Sequence, residues 1–279
     1  MRKEAIEGIK TGTLLWAAAL ALIAIFSYYS FFIEPAELAV GRASVDIGLK
    51  EPVRIVFISD IHSELVSDGF LKRAIETANA QNPDYVLLGG DYAEGGGWGI
   101  DRLSVLGNLT ARKGKFAVLG NHDYLLSESA CSSKAGNETA TRTRELLELE
   151  GIRVLRNGNA DLGGFTLVGV DDAWACESDY WKAVEGADRS RPIILLTHNQ
   201  EAVPPQEYEG LGLVLVGHTH CGQVRLPIIG SVPKLFGFRG EYDAGLHRFG
   251  NDSYIYTTCG IGGGPRFLAP PEISVIDVS

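Results

Sequence analysis

Two histidines one residue apart, His218 and His220, end the apolar run in LVLVGHTHCGQ. The chain contains only six histidines, so a pair at one strand end indicates chemistry rather than chance. Asp60 and His62 repeat this spacing after another apolar run. Because residues i and i+2 of extended backbone lie on the same face, each pair can address one site. Imidazole and carboxylate groups are metal ligands, so the two pairs indicate a metal site.

Three further apolar runs end in the same kind of residue. Asp91 follows VLLGG, Asn121, His122 and Asp123 follow FAVLG, and His198 follows IILLT. Because ligands bind at the carboxyl ends of the strands in open α/β sheets, we expect these side chains to converge. The sixth histidine, His247, lies outside these segments and is expected to be structural or exposed.

The donor set indicates which metal would bind. Carboxylate, imidazole and amide donors together suit Mn²⁺, Fe or Zn²⁺ better than Mg²⁺ or Ca²⁺, which prefer oxygen ligands alone. Two divalent ions would carry more charge than Asp60 and Asp91 cancel. The resulting positive cavity would suit a phosphate group and a bridging hydroxide.

The elements that position these residues form an alternating α/β pattern. Helical periodicity is found in residues 69–81 and 139–151. Runs of Val, Ile and Leu indicate strands covered on both faces, at 53–59, 84–90, 115–120, 152–155, 165–170, 192–198, 213–218, 253–259 and 272–278. No linker divides residues 53–279, which we therefore expect to form one domain.

Composition limits the partners. The formal net charge is −10, which argues against nucleic acid because wrapping its phosphates usually requires a basic surface. A phosphate-containing small molecule or lipid bound through metal ions remains compatible with this charge.

An uncharged segment, residues 11–33, is long enough as a helix to cross a hydrocarbon core of roughly 30 Å. A cleaved signal peptide is the alternative, but bulky residues follow where a cleavage site would need small ones. We therefore predict a membrane anchor in residues 1–34 and a connector in 35–52. Basic residues precede the span, so the positive-inside rule places the remaining domain outside the cytoplasm of a single-pass membrane protein. Four cysteines could form up to two disulfides, although their spacing indicates no pairing.

Five motif blocks occur in an order that resembles the calcineurin-like metallophosphoesterases. They are Asp60-x-His62, Gly90-Asp91, Gly120-Asn121-His122-Asp123, His198 and Gly217-His218-Thr219-His220. The resemblance implies a four-layer α-β-β-α sandwich of two mixed sheets and a dinuclear metal centre. It implies that one metal binds Asp60, His62, Asp91 and His220. The other would bind Asp91, Asn121, His198 and His218.

The resemblance also implies a reaction. A metal-bridging hydroxide would attack phosphorus, His122 would act as the general acid and Asp123 would orient His122. Residues 226–266 resemble a membrane-anchored bacterial branch that includes phosphodiesterases and UDP-2,3-diacylglucosamine pyrophosphatases. A phosphodiester or pyrophosphate in a membrane or envelope substrate is therefore expected. The alternative is a non-catalytic metal-binding scaffold, although such proteins are expected to have lost ligands or the catalytic histidine.

Several neighbouring residues allow two interpretations. Cys221 is either a passive small residue or a soft contact to the metal. Asp171 and Asp172 either support the site from behind or lie in a solvated turn. Arg225, Arg239 and Arg266 either bind a second phosphate or are exposed for solubility. The glycine-rich segment 260–264 is expected to form the rim of the site.

Overall fold

Two six-stranded mixed sheets form the centre of the computed structural model, which describes residues 2–94, 99–124, 136–208, 210–235, 242–250 and 253–279. The first sheet has the order β1 (Ala39–Val45), β14 (Glu272–Val278), β2 (Val53–Ile58), β3 (Tyr85–Leu88), β4 (Gly114–Ala117) and β5 (Arg153–Val154). The second has the order β12 (Gly245–Phe249), β13 (Ser253–Thr257), β9 (Leu213–Val216), β8 (Ile193–Thr197), β7 (Thr166–Val170) and β6 (Gly158–Asp161). A small hairpin pairs β10 (Arg225–Leu226) with β11 (Gly230–Ser231).

Helices cover the outer faces of both sheets. Helices α2 (Asp68–Ala80) and α3 (Gly136–Leu149), with the 3₁₀ segment Ile100–Asn108, cover the first sheet. The short helix α4 (Tyr180–Ala183) covers the second. Successive strand residues alternate between layers, because Phe57 packs between the sheets whereas Ile58 packs beneath the helices. The predicted four-layer sandwich is confirmed, and all nine predicted strands are present.

Both predicted helices are present, and local residues explain where they end. The Ser67 side chain accepts a hydrogen bond from the backbone N–H of Phe70 at 3.2 Å, which caps the start of α2. After α3 the chain reverses at Gly151, whose φ of 73° is a conformation that favours glycine. The backbone N–H of Ile152 then donates to the carbonyl of Leu147 at 2.9 Å.

The structure differs from the prediction in the segment 35–52. Instead of a connector alone, this segment contains β1, which runs parallel to β14 along seven residues of each strand. Only Val45 of β1 is buried, because β1 is an edge strand rich in small and polar residues. The edge strands β6 and β12 were missed for the same reason: they lack a continuous apolar run.

Helix α1 (Arg2–Tyr28) precedes the sheets and continues through a π-helical turn, Tyr29–Ile33. The segment Gly12–Ala36 is long and apolar enough to cross a membrane, and little of it is buried by the rest of the chain. Its end docks on a loop of the domain: the Arg266 backbone N–H donates to the Ser30 carbonyl at 2.8 Å. The buried Glu34 carboxylate accepts from the backbone N–H groups of Leu268 and Ala269, at 3.0 and 2.6 Å.

Candidate metal centre

The carboxyl ends of β2, β3, β4, β8 and β9 meet at one edge of the two sheets, and the predicted side chains converge there. Three groups of side chains have ligand atoms within 4.8 Å of one another. Two contain only predicted ligands, namely Asp60, His62 and His220 in one and Asp91, His198 and His218 in the other, and the third joins His62 to Glu94 and His122. Asn121 follows β4, is buried and lines the same cavity. Residues that are separated by about 160 positions in the sequence therefore lie together at this edge.

In the first group, two imidazoles face each other. Nε2 of His62 lies 3.2 Å from Nε2 of His220, which in turn lies 3.5 Å from Oδ1 of Asp60. Ring nitrogens this close, beside a buried carboxylate, form the kind of mixed donor set that binds a transition-metal ion. This side of the site therefore fits one metal.

Asp91 belongs to the second group and lies between His198 of its own group and His62 of the first. Its Oδ2 lies 3.1 Å from Nε2 of His198 and 3.8 Å from Nε2 of His62. Nδ1 of His218 lies 3.2 Å from Nε2 of His198. Because one carboxylate reaches both groups, the arrangement fits two neighbouring ions that share Asp91.

The backbone at the site is strained. Positive φ angles between 43° and 65° occur at five of the seven predicted ligands: Asp60, His62, Asp91, His218 and His220. Each such conformation costs on the order of 1–3 kcal/mol for a residue other than glycine and persists where the surroundings enforce it. The close packing also explains the neighbouring glycine Gly120, because a Cβ there would overlap the Asp91 carboxylate. Such strain concentrates at functional sites.

Hydrogen bonding and burial prepare the imidazoles to bind a metal. Nδ1 of His198 lies 2.8 Å from the Gly89 carbonyl, which can only accept, so Nδ1 carries the proton and Nε2 is the ligand atom. Burial is the main cause that lowers the pKa of His218, to about 3, and the neighbouring His198 adds to it. Burial and the charges of His62 and Arg266 likewise hold the pKa of His220 well below its usual value. The rings of His218 and His220 are therefore neutral, as ligands must be. Burial also lowers the pKa of His198 and His62, but nearby carboxylates outweigh it and raise the pKa of both.

His122 lies at the cavity edge beside a carboxylate that the sequence analysis missed. Oε2 of Glu94 lies 3.4 Å from Nδ1 of His122, and Oε1 lies 2.6 Å from Nδ1 of His62. Burial lowers the pKa of His122, but Glu94 and the charge of Asp91 outweigh burial and raise it to about 9. Glu94 belongs to no motif, and its only signal is its position three residues after Asp91.

Asp123 has a different environment from the one expected. Its carboxylate is buried and accepts hydrogen bonds from three backbone N–H groups, those of Asp91 and Tyr92 at 3.0 Å and of Gly120 at 2.9 Å. It therefore joins the loops after β3 and β4, which carry Asp91 and Asn121. The carboxylate beside the His122 ring is that of Glu94.

Side chains from both groups of candidate ligands line a cavity of about 270 Å³. The Trp174 ring lies 4.2 Å from the His218 ring at this opening. Gln223, Gly263 and Gly264 form another part of the wall, so the glycine-rich segment does lie at the rim. The cavity can hold a phosphate group and part of its substituent, with His122 beside them.

Several of the open interpretations are corrected or resolved. Cys221 is not a passive residue, because it forms a disulfide with Cys259. Cys176 is disulfide-bonded as well. Asp171 and Asp172 are buried rather than solvated. Tyr124 donates to the Asp171 carboxylate, and Asn199 donates to that of Asp172.

Two of the three arginines, Arg225 and Arg266, are engaged by groups of the protein itself. Arg266 is buried and donates to the carbonyls of Cys259, Gly262 and Ala269. Arg225 donates to the Cys221 carbonyl at 2.9 Å and lies 3.4 Å from the Asp243 carboxylate. Arg239 lies outside the described residues.

Residues 53–222, which carry all five motif blocks, match the calcineurin-like phosphoesterase family. The chain belongs to this family. It is 32% identical to phosphodiesterase YaeI of Escherichia coli K12, an alignment that covers 94% of this chain and 96% of that protein. It is 30% identical to the uncharacterized metallophosphoesterase YkuE of Bacillus subtilis 168, with 92% of each covered.

A vertebrate relative is similar over a smaller share of its length. The chain is 31% identical to the transmembrane protein with metallophosphoesterase domain of Danio rerio, covering 75% of this chain and 48% of that protein. Metallophosphoesterases use divalent metals, and the two residue groups described above fit such ions. As a member of this family, the chain is a phosphoesterase hydrolase.

Proposed function

We propose that this chain hydrolyses a phosphodiester or pyrophosphate bond with two divalent metal ions. The position of Asp91 carries the proposal, because its buried carboxylate lies between two groups of ligand atoms. Asp60, His62, Asp91 and His220 would hold one ion, and Asp91, Asn121, His198 and His218 the other. Mn²⁺ is the preferred ion, with Fe or Zn²⁺ as alternatives, because imidazole donors are mixed with oxygen donors.

When bound, the ions would supply Lewis-acid polarisation of the phosphoryl oxygens and make a water molecule acidic enough to act as the nucleophile. The residues of the chain then have separate tasks. His122 holds a proton at the cavity edge and would deliver it to the leaving oxygen. Glu94 fixes the rings of His122 and His62 together. Asp123 maintains the loop geometry that places Asp91 and Asn121.

We further propose that the substrate is a phosphate-containing lipid or another envelope-associated molecule. The apolar segment Gly12–Ala36 would hold the domain at a bilayer and raise the local concentration of such a substrate. The 32% identity to a protein named a phosphodiesterase supports a diester in particular.

The Cys221–Cys259 disulfide supports an extracytoplasmic position for the domain, because disulfides persist mainly in oxidising compartments. The basic residues before the span favour the same orientation. Modification of the protein in intact cells by a membrane-impermeant amine reagent would test this. Labelling of domain lysines only after lysis would contradict it.

A substrate comparison tests the proposed reaction. The full chain in detergent, supplied with Mn²⁺, would be offered bis(p-nitrophenyl) phosphate, p-nitrophenyl phosphate and a lipid-linked pyrophosphate. We expect hydrolysis of the diester or the pyrophosphate in preference to the monoester. Turnover of the monoester alone would contradict the proposed bond type, and no turnover of any of the three would favour a scaffold.

A further inference from the structure

The β10–β11 hairpin ends in apolar residues that no other described part of the chain covers. Ile228 at its tip is fully exposed, and Ile229 is about half exposed. Leu268, on the loop that docks on the apolar helix, is also about half exposed. No charged residue occurs between Leu226 and Val232. The loop that carries Leu268 pairs with the base of the hairpin through a bridge between Val224 and Phe267. We therefore group Ile228, Ile229 and Leu268 as one apolar ridge.

The backbone at two residues of this ridge is strained. Ile228 has a φ of 73° and Leu268 a φ of 54°. Residues with bulky side chains rarely adopt this left-handed conformation, and a β-branched residue there is an outlier. The chain therefore combines backbone strain with exposure of an apolar side chain at each of these two positions. Burial in an external apolar phase would offset the exposure.

The ridge is continuous with the end of the apolar helix. Phe267 packs its ring 4.8 Å from Phe26 and 6.0 Å from Tyr29. The same residue is joined to the base of the hairpin, because its N–H donates to the Gln223 carbonyl at 2.9 Å and its carbonyl accepts from the Arg225 N–H at 2.8 Å. Only a few residues therefore separate the hairpin tip from a side chain packed on the helix.

The depth at which Phe267 contacts Phe26 identifies the bilayer as the apolar phase that covers the ridge. A hydrocarbon core of about 30 Å is crossed by about 20 helical residues, so a span that begins at Gly12 leaves the core near Phe31. Phe26 then lies within the core, roughly one and a half turns below its surface. A loop packed on Phe26 must itself reach the level of the lipid, and it brings the neighbouring hairpin with it.

We propose that Ile228, Ile229 and Leu268 insert into the same bilayer that holds α1, as a second membrane contact. The domain would then be held at two points rather than swing on its anchor. Gln223, which accepts the Phe267 N–H, also lines the metal-site cavity together with Gly263 and Gly264. One wall of the cavity would therefore lie close to the bilayer surface. This consequence rests on the proposed function, whereas the membrane contact itself does not.

A photo-crosslinking experiment tests the contact directly. Benzoylphenylalanine would replace Ile228 in the full chain, reconstituted in nanodiscs of phosphatidylcholine and phosphatidylglycerol, and lipid adducts would be measured by mass spectrometry after irradiation. Leu149 is the matched control, because it is a large apolar residue that is 83% exposed. Leu149 is the last residue of α3 and lies near the start of β5, at the sheet edge opposite the metal site.

We expect lipid adducts at position 228 to exceed those at position 149 by roughly tenfold, about the partition ratio of one buried isoleucine side chain. Adduct formation at 228 that is no higher than at 149 would overturn the membrane contact. Hydrolysis of bis(p-nitrophenyl) phosphate by the same samples separates the two proposals. Hydrolysis without adducts overturns only the contact, and adducts without hydrolysis leave the contact standing while the proposed function fails.

Discussion

Oε1 of Glu94 lies 2.6 Å from Nδ1 of His62. The other oxygen of the same carboxylate lies 3.4 Å from Nδ1 of His122, so one side chain contacts both a candidate metal ligand and the candidate acid. A carboxylate at Nδ1 directs Nε2 of His62 toward the metal site. Movement of Glu94 would therefore disturb both metal binding and proton delivery.

The Glu94→Gln substitution should change how activity depends on pH. His122 must hold its proton to act as an acid, so activity is lost as pH rises through the pKa of His122. Glu94 raises that pKa, and glutamine removes the charge while preserving the shape. We expect the alkaline limb of kcat against pH to move to lower pH, by about 1 unit or more.

Glu76→Gln provides the control for this measurement, because Glu76 is exposed on α2 and pairs only loosely with Lys72, at 3.9 Å. Its pH profile should match that of the wild type. If the alkaline limb of the Glu94→Gln variant stays where it is in the wild type, Glu94 does not tune His122.

His122→Ala should separate chemistry from metal binding. Loss of the proton donor is expected to lower kcat by about 10²–10⁴-fold for a leaving group that needs protonation. Metal content by mass spectrometry should change little, because all seven proposed ligands remain in this variant and His122 groups only with His62 and Glu94. The substrate should carry an alkyl leaving group, since a nitrophenolate leaves without a proton.

His247→Ala is the control for that variant. His247 lies on β12, and Nε2 contacts the Ala244 carbonyl at 2.9 Å, so its loss should leave both activity and metal content unchanged. A His122→Ala enzyme that keeps wild-type kcat on the alkyl ester would exclude His122 as the acid.

Removal of the Cys221–Cys259 disulfide should destabilise the domain. The bridge closes a loop with a sequence separation of 38, for which chain entropy gives about 3 to 4 kcal/mol in the free energy of unfolding. We expect the Cys221→Ser, Cys259→Ser double variant to unfold at lower denaturant concentration than the wild type. An unchanged midpoint would show that the bridge adds nothing to stability.

The sequence identified the strands and the residues after them because both follow from short-range patterns. Buried parallel strands require long apolar runs, and metal binding restricts which side chains can follow them. The edge strand β1 has no long apolar run, because six of its seven residues are at least partly exposed. A sequence pattern also could not reveal Glu94 or the partner of Cys221, because both depend on how distant loops pack.

The burial of Arg266 shows the same limit. Its charge suggested a role in binding a second phosphate, yet its guanidinium donates to three backbone carbonyls and lies 3.2 Å from Nδ1 of His220. The packing of the glycine-rich segment 260–264 decides which carbonyls surround the Arg266 guanidinium. No local sequence pattern predicts that packing.

Metal titration tests the central claim most directly. The full chain would be stripped with a chelator and supplied with increasing Mn²⁺ while hydrolysis of bis(p-nitrophenyl) phosphate and bound metal are measured together. Asp91→Asn would be compared with Asp161→Asn, a control at an exposed ion pair on β6. We expect activity to be lost on chelation and to return as about two ions bind per chain, in the wild type and in Asp161→Asn but not in Asp91→Asn. Hydrolysis that survives complete metal removal, or an Asp91→Asn enzyme that binds both ions and turns over normally, would contradict the account.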